Sequence, residues 1–333
     1  MVRAVNVRKI ANLVREWILI VAIFVIVAIA ASFRPAFIGI DNILNILRAS
    51  STIGLAAIGM SCAVLGGTMD LSMGSTISLT AVFTMMIMNS SIGTNPETSN
   101  LTAVLTILAG LGIGSVIGFI NGSILALING RMGESFIITY AMQIVIAALA
   151  QIVVRGEFQA AKYPPGFFKS LGMGFSPIII LAIVALVVYI ITSRLRFGRN
   201  LYFLGANMNA AKMAGIKVRS VRIISHTLCS ACAGLAGVLI VSRVNSASCL
   251  QGVGYELEAL SCVAVGGISL TGGNGSILKT VVGVLLIGVM GTALNVLGIG
   301  SNAQLIVRGL VIIVAVFLDI LNKQYKQKVV NTE

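Results

Sequence analysis

From Trp17 to Leu321 the chain returns again and again to apolar runs of about 20 residues, the length a helix needs to cross a bilayer. Short islands of Gly, Ser, Thr, Asn and charge separate them. Nothing else in the sequence narrows the fold as much. Backbone in hydrocarbon must satisfy its own hydrogen bonds, and a helix does so within one segment. The runs are Trp17 to Ala31, Ile43 to Leu65, Leu71 to Asn89, 101–128, Ser135 to Val154, 176–192, 223–241, Leu257 to Leu270, 277–297 and 302–321. They predict an all-α integral membrane protein of about ten transmembrane helices, one domain over 1–333 that is membrane-embedded from 16 to 322. Charged residues make up 10% of the chain, against about 25% in a soluble domain. Gly110, Gly112, Gly114 and Gly118 in the fourth run predict close helix contact.

Orientation follows from the basic residues. Ser193 to Arg222 carries Arg194, Arg196, Arg199, Lys212, Lys217, Arg219 and Arg222 and no acidic residue. Pinned between two spans, this loop stays cytoplasmic, because Lys- and Arg-rich loops resist translocation. An even number of spans then puts both termini in the cytoplasm, with 16 of the 23 Lys and Arg inside. The opening residues, with Arg3, Arg8, Lys9 and Arg15 before an apolar core and Ala28-Ile29-Ala30, mimic a signal peptide. An uncleaved first span is the better reading, since all that follows is itself embedded. Two sets of five spans are compatible with an inverted repeat, although no internal sequence similarity marks it. The net charge of +13 reads as orientation and lipid attraction, not as nucleic-acid binding.

Three polar islands interrupt the runs. The first, Gly66 to Ser75, needs protein or water around its irregular backbone, and Asp70 is placed to cap the helix after it. The second, Gly254-Tyr255-Glu256-Leu257-Glu258, puts two carboxylates at a helix start on the outer side. The third, Gly266 to Ser276, faces the cytoplasm and lacks the lysine and spacing of a phosphate-binding loop. Within the basic loop, Asn209 to Ile216 reads as a short helix with a small face (Ala210, Ala211, Ala214) that Gly215 ends. His226, the only histidine, reads as a hydrogen-bonded packing residue, and the cysteines as packing residues.

The islands G-T-M-D-L-S-M-G-S, G-A-N-x-x-A-A-x-x-A-G-I and G-Y-E-L-E-A-L-S-C-V-A-V-G-G-I-S-L-T-G-G-N-G-S, in this order, closely resemble the membrane permeases of bacterial ABC sugar importers. The likeness is to the ribose, xylose, arabinose, galactose and autoinducer-2 branch. It runs on to Gln304–Val316, and related branched-chain amino-acid permeases lack the D-L-S-x-G segment. The resemblance implies one transmembrane permease domain without a catalytic site or cofactor of its own, in the bacterial inner membrane. ATP and Mg would sit on a partner ATP-binding subunit. The other implied partners are an extracytoplasmic sugar-binding protein, a second permease copy or a sister chain, and membrane lipid. It implies that 193–222 is the coupling loop, with Gly205, Asn207, Ala210, Ala211, Ala214, Gly215 and Ile216 docking on the ATPase. The motif turns are Gly67, Asp70, Ser72, Gly74, Gly254, Glu256, Gly266, Gly267, Gly272, Gly273 and Gly275. Two positions depart from the family: Ala206 stands where a glycine is usual, and Ala147-Ala148 where an Arg-Gly pair is common.

An ion-coupled secondary transporter is the alternative, but it needs a carboxylate buried mid-span. Every acidic residue here falls at a span end or in a loop. An integral-membrane enzyme would need a catalytic constellation that one histidine and terminal carboxylates do not supply. Asn45, Asn121, Gln143, Gln151 and Asn295 are the amides that either line a pore or hold helices together. Arg155, Lys162, Lys169, Arg243 and Arg308 lie on or near the outer face, where the orientation rule disfavours them. They either meet lipid headgroups or dock the acidic lobe tips of a binding protein.

Overall fold

The computed structural model describes residues 19–90, 99–154, 159–160, 166–300, 302–314 and 317. The expected cytoplasmic termini, the first basic cluster, Arg155 and Lys162 lie outside the described residues. Each of the ten apolar runs holds a helix among the described residues: α1 (Leu19–Phe33), α2 (Ile40–Leu65), α3 (Met73–Asn89), α4 (Ser99–Leu127), α5 (Met132–Val154), α7 (Ser176–Ser193), α10 (Val218–Val244), α11 (Tyr255–Val265), α12 (Ile277–Val296) and α13 (Asn302–Val314). Between them lie α6 (Gly166–Gly172), α8 (Arg196–Ala206), α9 (Met208–Met213) and a two-residue antiparallel pair, β1 (Gln159–Ala160) with β2 (Ser246–Ala247).

Six of these helices, α2, α4, α5, α7, α10 and α12, are long and apolar enough to cross a membrane. The run 257–270 holds no helix long enough to cross a membrane by itself. Its helix, α11, has 11 residues, about 16 Å at 1.5 Å per residue, and Gly266-Gly267 stops it halfway. A hydropathy count does not see this, because Ile268 and Leu270 carry the apolar run past the stop and two glycines are too few to interrupt it. The seventh run also starts earlier than its hydropathy shows, since α10 takes Val218 to Arg222 out of the basic loop.

The core sits around α10, two-thirds of whose most apolar stretch is buried. Its closest neighbour is α4, and the reason is a ladder of glycines. A methyl added at Gly114 would meet the Ser230 carbonyl at 2.1 Å, at Gly118 the His226 carbonyl at 2.2 Å, and at Gly122 the Ile223 Cα at 2.7 Å. Gly110 and Gly234 meet in the same way. Small residues every four positions let two backbones touch, which is how helices associate where lipid supplies no hydrophobic drive. Gly112 does not belong to this contact; it faces open space. Gly114→Ala should therefore lower the stability of the purified chain by about 1–3 kcal/mol, whereas Gly112→Ala leaves its melting temperature unchanged. Equal effects would remove the ladder from the account.

The packing repeats. α10 contacts α3 and α4 as α2 contacts α11 and α12, α3 and α4 touch as α11 and α12 do, and α2 and α10 pack on each other. Exchanging second with seventh, third with eighth and fourth with ninth segments is the relation that duplication of a five-segment unit produces.

Candidate functional site

The first polar island is interior. After the Gly66-Gly67 turn (Gly67 φ +77°) the chain runs as irregular backbone to α3, and Thr68, Asp70 and Ser72 are fully buried. Helix α5 supplies acceptors: Met69 N–H donates to Ser135 Oγ at 3.1 Å and Leu71 N–H to Thr139 Oγ1 at 3.0 Å. The Asp70 carboxylate collects donors from three elements. Oδ1 accepts from Ser72 N–H (3.0 Å), Ser72 Oγ (2.6 Å) and Asn121 Nδ2 on α4 (3.3 Å). Oδ2 accepts from Ser230 Oγ on α10 at 2.8 Å, with His226 Nδ1 3.7 Å away. His226 Nε2 is in turn 3.0 Å from Thr68 Oγ1. Asp70 is thus not the cap of α3, a position Ser72 occupies; it ties the crossing segment to α4 and α10. Although it lies between α2 and α3 in sequence, it is fully buried in the protein. Non-helical backbone at this depth persists because protein groups satisfy it.

The second and third islands converge on the first. Gly254 turns the chain into α11 with φ +89°, and Glu256 Oε1 accepts from Gln143 Nε2 at 3.3 Å. Glu256 and the Gly252 carbonyl sit directly on Gly74, where an added methyl would lie 2.0 Å from Glu256 Oε2. Gly252 N–H donates to Ser78 Oγ at 2.8 Å, and Ser75 Oγ to the Gln143 carbonyl at 2.9 Å. At the other end of the crossing, Gly273 N–H donates to the Leu65 carbonyl at 3.0 Å. Gly272 lies on Gly67, and Gly205 fits between Leu65 and Gly273. Gly266 backs onto the Lys279 carbonyl of α12, and Gly275 onto Ile268. Ala206, at the position where glycine is usual, rests on Gly273, which has no side chain to oppose it.

The basic loop is largely helical. Asn207 caps α9, its Oδ1 accepting from the N–H groups of Asn209 and Ala210 at 3.0 Å each. Gly215, at φ +76°, closes it, and Ile216 N–H returns to the Ala211 carbonyl. The small face is not presented outward as one surface. Ala210, Ala214 and Gly215 are exposed, but Ala211 is 2% exposed and packs into the chain, and Met213, at 90%, is the protruding residue. Gly205 likewise faces inward, and Ile216 is half-buried. Arg222 stands apart from the other basic residues of the loop: it is 2% exposed, whereas the other six are exposed.

The five amides do not converge on one lumen. Asn121 belongs to the Asp70 cluster, donating also to Ser72 Oγ at 2.8 Å, and Gln143 to the Glu256 contact. Asn295 accepts from Gln304 at 2.8 Å, Asn45 from Arg243 at 3.4 Å, and Gln151 is exposed on α5. Of the outer basic residues, Arg308 is committed to Glu258 at 2.9 Å, with Glu258 in the first turn of α11. Lys169 on α6 is exposed and Arg243 ends α10, and the two helices meet where Gly172 abuts the Arg243 backbone. The residues missed from sequence are the hydroxyls, Ser135 and Thr139 on α5, with Ser230 four positions after His226 on α10. Their four-residue spacing on single helix faces is the signal that marks them.

Known proteins place this architecture. No solved structure matches the chain. The "Ribose import permease protein RbsC" of Escherichia coli (strain K12) is 33% identical over 90% of this chain and 92% of its own length. The protein of that name in Bacillus subtilis (strain 168) is 36% identical over 89% and 90%. The "Galactose/methyl galactoside import permease protein MglC" of Escherichia coli (strain K12) is 31% identical over 97% and 99%. The profile of the family described as "Branched-chain amino acid transport system / permease component" matches residues 42–316, which hold all three islands and the helices α8 and α9 of the basic loop. The chain belongs to that permease family.

Proposed function

We propose that this chain is the pore-forming subunit of a binding-protein-dependent ABC importer that moves a monosaccharide or similar small polar solute. The observation that carries the reading is the breadth of its relatives. Proteins named for import of ribose, D-allose and galactose all align over about nine-tenths of the chain. ATP and Mg act on a partner ATP-binding subunit, and this chain has no catalytic site of its own. The partner docks on the exposed side of α8 and α9, while an extracytoplasmic binding protein meets the end carrying Lys169 and Arg243, with Arg155 and Lys162. A second copy or a sister permease completes the pore in the bacterial inner membrane, the termini lying in the cytoplasm. Residues 1–333 form one permease domain. Solute selectivity resides mainly in the binding protein, which agrees with amides that do not gather around one site.

Uptake in proteoliposomes tests this. The complete complex should accumulate sugar only with ATP and the binding protein present. The chain alone under a proton gradient should accumulate none. Gradient-driven accumulation by the chain alone would sink the reading.

A further inference from the structure

Resting on that reading, we infer that Arg222 is the positioning residue that joins the coupling helix α9 to α4 and α10. Its guanidinium forks across two elements. Nη1 donates to the Leu125 carbonyl in the last turn of α4 at 3.0 Å, and Nη2 to Met208 Sδ, at the start of α9, at 3.0 Å. The side chain is buried, Nε has no partner, and among the described residues no carboxylate pairs with it. Burying a guanidinium without a direct ion pair is costly; Glu134 acts on it only from beyond contact distance, and six other basic residues of the same stretch have their charges outside. A helix C-terminus offers partial compensation through its unpaired carbonyls and dipole. That explains why the charge is tolerated at Leu125. It does not explain the second arm, which reaches out of the helix bundle to α9.

What lies beyond Arg222 gives the arm a use. The glycine ladder fuses α4 to α10 along their length. Asn121 on α4 and Ser230 on α10 then hold Asp70, so the irregular crossing at 66–72 is fastened to the same pair. Displacement of α9 by a partner subunit reaches the membrane helices through α8, through the packed Ala211, through the short link Ala214 to Lys217, and through the Arg222 fork. The link is a turn around Gly215 and transmits little. The fork makes α9, α4 and α10 move together and carries the motion to the crossing. A lysine presents one compact charge and cannot span both acceptors, so Arg222→Lys keeps the contact to α4 and cuts the one to α9. Met208→Leu cuts the same connection from the other side with little change in volume.

The test uses the complete complex in proteoliposomes and measures solute moved per ATP hydrolysed, a ratio that a loss of folded protein does not change. Arg222→Lys and Met208→Leu should each lower the ratio about fivefold or more, the range of couplings between distant sites, while ATP hydrolysis continues. The double variant should be no worse than Arg222→Lys alone, because both changes cut one connection. An unchanged ratio in both single variants overturns the inference, as does a double variant whose loss is the product of the two. If Arg222→Lys does not assemble, Met208→Leu decides the matter by the same ratio. Wild-type complex without ATP-driven uptake would remove the importer reading and this inference with it. Wild-type uptake with unchanged variants removes this inference alone.

Discussion

Asp70→Ala is expected to leave no stably folded chain at ordinary growth temperature. The carboxylate accepts the Ser72 N–H and the side chains of Ser72, Asn121 and Ser230, all of them buried. Removing it takes the acceptor from four buried donor contacts, of which only Asn121 keeps another partner, Ser72 Oγ. A buried group left unpaired costs about 1–3 kcal/mol, so the sum is several kcal/mol against a total stability of about 5–15. The loss is concentrated where it does most harm, because the crossing at 66–72 has no helix of its own to fall back on. Asp70→Asn keeps one carbonyl acceptor and should be intermediate, with its amide nitrogen forced against either Ser230 or Ser72. Thermal unfolding of the purified chain is the measurement. A fall of about 10 °C or more for Asp70→Asn, with no folded Asp70→Ala recovered, is the expected result. An Asp70→Ala chain melting within a few degrees of wild type would mean that hydroxyl pairs within the helices suffice and that the carboxylate holds nothing together.

That cluster also shows what the sequence makes legible. Apolar runs reveal the six helices that are long and apolar enough to cross a membrane among the described residues, because hydrocarbon imposes the same condition on each segment independently. Gly66-Gly67 reveals the break after α2, since glycine is the residue that takes φ +77° without strain. Neither signal says where a loop goes once it leaves its helix. Asp70 reads as a span-end carboxylate, and only the meeting of α4, α5 and α10 puts it inside, because its partners on α4 and α10 stand 51 and 160 positions away. Gly74 is a similar case. Its missing side chain is explained by Glu256, a residue on another helix that no local pattern connects to it. α11 is the opposite failure, where composition promised a span and two glycines cut it to 11 residues. The short helix α9 was legible at its closing Gly215, but its start reads as Asn209 where the structure begins it at Met208 under the Asn207 cap, and its rotation was illegible. Six residues are too few for a hydrophobic stripe to say which face is inward.

Rotation of that helix decides the strongest test of the docking surface. With Ala211 turned into the chain and Met213 turned out, the two positions should respond in opposite ways. Met213→Asp places a charge on the most protruding apolar residue of the loop and leaves the permease core untouched. The chain should fold and melt as wild type, yet bind the ATP-binding subunit at least about tenfold more weakly, the effect of losing one well-packed anchor of an interface. Ala211→Arg inserts a long charged side chain where the native methyl is 2% exposed. The permease itself should lose stability, by several kcal/mol if the guanidinium stays unpaired, and any loss of complex should follow the loss of folded chain. Two measurements separate these outcomes: the melting temperature of the isolated chain, and its affinity for the partner subunit in titration. Ala214→Arg, exposed on the same side as Met213, should behave like Met213→Asp. If both exposed substitutions leave affinity unchanged while the chain remains folded, α9 is not the docking element. The ATPase must then be held by the arginine face of α8, where Arg196 and Arg199 stand exposed beside Phe203.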